Sequence, residues 1–235
     1  MFIPLNRLNK VSRIPDDRAT PRGFAMNILI LGVGNMGAAL ARRFTTAGHV
    51  VQLAATSFAK AEKVAASIAG ASAVDTGQGA AAADVILVAT PYEQAASALA
   101  AVGPLDDKVV IDITNPLTAD YTGLTVGQST SAAEELAKAF PTAHVVKAFN
   151  TLFAQVVSEG ATFANGQTAP TFIASDSERA KSTARSLAES IGFDVIDAGP
   201  LRNARYLEPL AGLNIHFGYA AGQGTGIAPN WLQRA

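Results

Sequence analysis

Three glycines stand in the pattern G-x-G-x-x-G, as Gly32-Val33-Gly34-Asn35-Met36-Gly37. Glycines at that spacing suit one task, the holding of a pyrophosphate on backbone amides. The first permits a tight turn, the second lets the backbone approach the phosphates, and the third lets the following helix lie close on the preceding strand. The pattern leaves the apolar run NILIL (27–31) and opens a helical stretch over 35–47. That is the strand–turn–helix context dinucleotide binding requires, within a βαβ unit of about thirty residues. A ligand-free glycine turn is the plainer reading, and the complete unit argues against it.

The end of the next strand should select the dinucleotide. A site for NAD presents an acid there to accept hydrogen bonds from the ribose. This chain offers Thr56, Ser57 and Lys60, with no acid before Glu62. Two hydroxyls and an ammonium suit a 2′-phosphate, which an acid would repel, so NADP is favoured. Alternatively, Thr56 and Ser57 only cap the helix that follows.

Other chemistry is scarce. The chain has no cysteine, which removes thiol nucleophiles, disulfides and zinc ribbons. His49, His144 and His216 are scattered, without an H-x-x-x-H spacing, so no metal site is expected. His216 reads as a buried or interface histidine. Lys147 and Asn150 fall at the end of the run HVVKAF (144–149), where active sites of open sheets gather. Lys147 could donate a proton to a carbonyl that Asn150 orients. The preferred reading has Lys147 snorkel to solvent and Asn150 belong to the site. Asp112 is expected only to tie down the loop after it.

The positioning elements follow from the apolar pattern. Runs at 27–31, 49–55, 72–74, 84–90, 108–114, 144–149, 171–175 and 193–199 read as strands, and several are apolar on both faces. Helices are expected over 35–47, 58–69, from Pro91 to about Ala101, over 131–140 and 177–190, and a final apolar helix over 201–220. Alternation of this kind gives an α/β, doubly wound, mostly parallel sheet. The expectation is one domain over 26–235, built on one continuous sheet with a C-terminal helical appendage (about 200–220) and a tail. Residues 1–25 read as a poorly ordered leader, outside the fold that Met26 opens.

Composition narrows the partners. Eighteen basic and nineteen acidic residues leave a net charge of −1, so no nucleic-acid or anionic-membrane footprint is present. No apolar run reaches the roughly 18 residues of a membrane span. A cytoplasmic location and a small-molecule partner are the expectations. The 47 alanines and 20 glycines suit helices lying close on a sheet. The last helix, apolar on more than one face, suggests a homodimer formed through it, with the GQGTG tail (222–226) near the site.

GVGNMG, ATPYEQA (89–95), DITNPL (112–117), VVKAFNT (145–151) and DAGPLRNARYLEPL (197–210) occur in that order. Together they resemble the coenzyme F420-dependent NADP oxidoreductases (NADPH-dependent coenzyme F420 reductases). VVKAFNT is also similar to the NADPH-binding domain of the six-transmembrane metalloreductases. The resemblance runs from Met26 to about Gly226. It implies a Rossmann-type fold and hydride transfer between NADP(H) and coenzyme F420, a deazaflavin stacked on the nicotinamide. It further implies that Val33 to Met36 line the pyrophosphate, that Thr56, Ser57 and Lys60 face the adenosine phosphate, and that Thr90, Pro91 and Asn115 border the inner half of the cofactor. Thr56-Ser57 stands where that family carries a serine–arginine pair, and Asn150 where it tends to carry a histidine. The acceptor is therefore left open among a deazaflavin, a flavin, a quinone or another flat molecule. Two alternatives remain: an NADPH-dependent reductase of a small carbonyl, quinone or flavonoid-like substrate, and a non-catalytic NADP-binding redox sensor.

Overall fold

The computed structural model describes residues 25–231 and 234; the expected leader lies outside them except for Ala25. Six strands form one parallel sheet in the order β3-β2-β1-β4-β5-β6: β1 (Asn27–Leu31), β2 (Val50–Ala54), β3 (Ala71–Ala73), β4 (Val85–Val88), β5 (Val109–Asp112) and β6 (His144–Lys147). The order reverses between β1 and β4, which opens a crevice at their carboxyl ends.

Alternate residues of each strand enter two separate cores. Ile28, Ile30, Leu53 and Leu87 join Leu40 and Phe44 of α1 (Asn35–Thr46) and Ala61 of α2 (Phe58–Ala65). Leu29, Leu31, Ile86 and Val88 join Leu99 of α4 (Tyr92–Ala100) and Leu136 of α5 (Ala132–Ala139). Strands buried on both faces by helices are what the unbroken apolar runs require. Two short helices escape the sequence reading, α3 (Thr76–Ala82) and α6 (Ala154–Glu159). The segment TGQGAAA carries two glycines, which weakens any helical signal.

The single continuous sheet is not formed. β7 (Pro170–Ile173) and β8 (Asp194–Asp197) make their own parallel pair, flanked by α7 (Glu178–Ser190). They join the edge of the main sheet at an antiparallel bridge, where Lys147 and Ala174 exchange hydrogen bonds of 2.9 and 3.0 Å. The pairing stops there because the chain turns at Phe149, whose φ is +57°.

The last helix is also less uniform than expected. A 3-10 turn (Leu201–Asn203) leads into α8 (Ala204–Ile215), which ends in a π turn (His216–Ala220). α8 buries one face, with Ala204, Leu207, Glu208, Ala211 and Asn214 at helical spacing. Its other face leaves Tyr206 and Leu213 exposed, so it is not buried on several sides. No helix among the described residues is long and apolar enough to cross a membrane.

Candidate functional site

The glycine turn joins β1 to α1, and its three glycines differ in what fixes them. Gly32 has φ +105°, and a Cβ there would stand 2.5 Å from the Ala89 carbonyl oxygen. A Cβ on Gly37 would run into the carbonyl of Gly32. Those two are demanded by the fold itself. Gly34 is not: its φ is −70°, and a Cβ would meet nothing within 4 Å. α1 starts at that open space with no side-chain cap and no acid in its first turn. Unfilled space beside uncapped amides fits a pyrophosphate.

Of the cavities that open on this turn, two bear on the cofactor and its partner. One, of about 360 Å³, is lined by Gly32, Ala55, Thr56, Thr90 and Gln94, among others. Ser57 occupies the N-cap position of α2, yet its side chain makes no capping bond. The capping explanation for that hydroxyl therefore fails. Lys60 lies exposed in the first turn of α2, and neither Ser57 nor Lys60 lines the cavity.

The second cavity, of about 600 Å³, brings together Asn35, Met36, Thr90, Pro91, Asn115 and Asn150. Its walls are otherwise mostly apolar, with Ile113, Phe149, Leu152, Phe153 and Ile215 among them. Four of its lining residues carry a buried polar atom without a protein partner: Thr90 Oγ1, Thr114 Oγ1, Asn150 Oδ1 and Thr151 Oγ1. Buried polar groups are normally bonded, so orphans converging on one cavity mark a place for a ligand. Two of them, on Thr114 and Thr151, have no counterpart among the sequence-derived candidates, since a lone threonine gives no spacing signal.

Asn150 is held firmly. Its Nδ2 donates to Asn115 Oδ1 and to the Leu207 carbonyl, both at 3.0 Å, while Asn115 Nδ2 donates to the Asn150 carbonyl at 2.9 Å. Phe149 precedes it in the left-handed region, and its N–H donates to Thr171 Oγ1 at 2.9 Å. A buried phenylalanine at positive φ is a strained position, and here it aims the Asn150 amide.

Lys147 neither snorkels nor faces the cavity. It is fully buried, with Nζ 2.8 Å from both Asp112 Oδ2 and Glu208 Oε1 and a further bond to the Thr114 carbonyl. Asp112 does tie its loop, through the Thr114 N–H at 2.8 Å, but it is also an ion-pair partner. Burial by itself would lower the Lys147 pKa; the carboxylates of Asp112 and Glu208 outweigh it and hold it raised. Burial raises the Glu208 carboxyl, with Lys147 opposing. All three ammonium hydrogens have acceptors, so Lys147 is in no position to protonate a substrate. Glu208, absent from the sequence-derived candidates, also accepts from the N–H groups of Ala132 and Ala133 at the start of α5. A lone acid in the apolar stretch LEPL was the available signal, because a buried charge needs a partner.

The histidines take no part in the cavity lining. His216 is exposed on the π turn instead of buried, because that turn presents it away from the β-sheet core. The expected approach of the tail is supported: Thr225 Oγ1 donates to Gln155 Oε1 at 2.6 Å and shares a polar groove with Val33, Gly34 and Asn35.

The family described as NADP oxidoreductase, coenzyme F420-dependent, matches residues 27–116. An F420-dependent NADP reductase of Methanothermobacter thermautotrophicus is 32% identical over 211 residues, spanning 81% of this chain and 88% of that protein. The metalloreductase STEAP3 of Rattus norvegicus is 29% identical over 186 residues, 79% of this chain but 36% of the rat protein. The matched part thus spans about a third of that relative's length. A solved structure from Arthrobacter sp. FB24, provisionally assigned as an F420-dependent NADP reductase, superposes with a TM-score of 0.77 at 29% identity, covering 86% of this chain and 97% of the other.

Proposed function

The chain belongs to the coenzyme F420-dependent NADP oxidoreductase family, and on that premise we propose that it transfers a hydride between NADP(H) and a deazaflavin or flavin-like acceptor. The observation that carries this reading is the apolar cavity with four unpartnered polar atoms, continuous through Thr90 with the cavity at Thr56. The cofactor, when bound, supplies the hydride. The amides of Val33 to Met36 hold the pyrophosphate, and Thr56, Ser57 and Lys60 hold the 2′-phosphate. Thr90, Pro91 and Asn115 border the nicotinamide end. The hydroxyls of Thr90, Thr114 and Thr151 and the side-chain Oδ1 of Asn150 orient what lies in the cavity. Its apolar walls exclude water.

Hydride transfer between stacked rings needs positioning more than acid–base chemistry. The saturated hydrogen bonding of Lys147 favours that reading over reduction of a carbonyl with Lys147 as proton donor. The same reading includes a homodimer through the C-terminal helix. Tyr206, Leu213 and Phe217 support it, as large apolar side chains exposed along one side of that helix.

NADPH oxidation against deazaflavin, flavins, quinones and simple carbonyls tests the reading. Turnover with a flat ring acceptor is expected. Turnover with carbonyls alone would overturn it, and NADPH binding without oxidation by any acceptor would point to a redox sensor. Light scattering that gives a monomer at micromolar concentration would remove the dimer.

A further inference from the structure

We propose that Asn150 selects the hydride acceptor by its hydrogen-bonding edge: the side-chain Oδ1 takes a hydrogen bond from a ring N–H, so the ring opposite the nicotinamide carries an imide. This rests on the hydride-transfer reading above. Asn150 is 5% exposed and lines the 600 Å³ cavity, and its Oδ1 has no partner among the described residues. Which end of the amide is oxygen is fixed by main-chain carbonyls, which can only accept. Asn150 Nδ2 donates to the Leu207 carbonyl and to Asn115 Oδ1, both at 3.0 Å, and Asn115 Nδ2 donates to the Asn150 carbonyl at 2.9 Å. Turning either amide over would set its oxygen against a carbonyl oxygen. Both Nδ2 hydrogens of Asn150 are therefore spent, and what its side chain offers a ligand is an acceptor alone.

The place of that oxygen favours the second substrate over the cofactor. Asn150 follows β6, two strands and about 10 Å beyond β4, after which Thr90 and Pro91 border the nicotinamide end. Its bond to Leu207 joins it to α8, on the far side from the glycine turn. Thr114 and Thr151, 4% and 2% exposed, add two unpartnered hydroxyls to the same cavity. A hydroxyl can donate where Asn150 Oδ1 cannot. One obligate acceptor among hydroxyl donors complements an imide, whose single N–H lies between two carbonyl oxygens. The pyrimidine ring of a flavin or a deazaflavin has that edge. A quinone has carbonyls without an N–H and would leave Asn150 Oδ1 buried and unpaired.

Hydride passes from C4 of NADPH to N5 of a flavin or C5 of a deazaflavin, and a proton from water adds at N1, giving NADP+ and the dihydro ring. Ring N3 gains and loses nothing, so a methyl there removes the N–H and leaves the reaction balanced. Lumiflavin and 5-deazalumiflavin, each with and without an N3 methyl, are titrated by their fluorescence against NADP+-saturated wild type and Asn150→Ala. In wild type the methyl is expected to weaken binding about tenfold or more, as loss of the only donor to a buried acceptor would. In Asn150→Ala the parent rings should bind more weakly and the methyl effect should fall toward none. The wild-type comparison stands without the variant: equal binding with and without the methyl, or no binding of either parent ring, would overturn the proposal. A methyl penalty undiminished in Asn150→Ala would assign it to shape and also overturn it. The 3-acetylpyridine analogue of NADP+ lacks the carboxamide N–H; weaker binding of that analogue, with no effect of the N3 methyl, would place Asn150 on the cofactor instead. NADPH oxidation at equal rates by parent and methylated rings would overturn the proposal while leaving the hydride-transfer reading intact. Methyl-sensitive binding without any oxidation would leave the Asn150 contact standing and remove the activity.

Discussion

Glu208 Oε1 lies 2.8 Å from Lys147 Nζ, with both side chains out of solvent. The pair joins α8 to the end of β6, and Asp112 completes it from β5. Because Lys147 also bonds the Thr114 carbonyl, the C-terminal helix is tied to the floor of the candidate site.

Replacing Lys147 with methionine strands two buried carboxylates. Lys147→Met is expected to cost about 3–5 kcal/mol in denaturant unfolding, the range for breaking a buried pair from one side. Glu208→Gln keeps an acceptor oxygen and removes a charge that burial already disfavours, so it should cost less. The folded pKa of Lys147 is raised, so its contribution is complete below the unfolded value of 10.5 and is lost only as pH rises through the folded one. Titration of Lys147 should therefore add no slope to the wild-type stability from about pH 7 to 9. A steep slope in that window would contradict the ion-pair account.

Two glycines of the turn should separate stability from binding. Gly34→Ala places a methyl in open space at an ordinary φ, and the melting temperature is expected to change little. NADPH affinity, by fluorescence titration, should fall about tenfold, since the methyl takes room meant for phosphate. Gly37→Ala drives a methyl into the Gly32 carbonyl and should destabilise by about 1–3 kcal/mol. Equal melting losses in both variants would refute the distinction.

Lys60 should read the 2′-phosphate. Lys60→Ala is expected to weaken NADPH about five- to tenfold and leave NADH unchanged, as loss of one charge-assisted contact would. An equal loss for both cofactors would assign Lys60 to the fold of α2.

His49 sets an acid limit. Its Nδ1 accepts from the Met26 N–H at 3.2 Å, and its Nε2 lies 3.0 Å from Ser190 Oγ, which itself donates to the Leu187 carbonyl. Both ring positions are used by the neutral imidazole, and burial lowers its pKa below 6.5. The folded state thus binds a proton less readily than the unfolded one. Its contribution is present above about pH 6.5 and is lost as pH falls through the folded value. Unfolding free energy measured from pH 8 to 5 should decline, and less steeply in His49→Gln. Identical slopes would dismiss the histidine as the cause.

Much of the cofactor half was legible because its signals are local. Gly32, Gly34 and Gly37 announce the turn by spacing, and NILIL and VVID announce buried strands by unbroken apolarity. The acceptor half was less so. Asn150 could be named from its place at a strand end, but its partners Asn115 and Leu207 are 35 and 57 residues away. The tertiary structure alone removed Lys147 from solvent, because the partners that neutralise it come from β5 and α8, a pairing no linear pattern records. It also split the sheet at Phe149, where a positive φ leaves no trace in residue type.

Sequence by itself determined the doubly wound sheet and the dinucleotide turn, since both follow from residue type and short spacing. What stands opposite the cofactor was decided by the fold. Orphaned hydroxyls, a saturated lysine and the apolar cavity beside them exist only once distant segments meet.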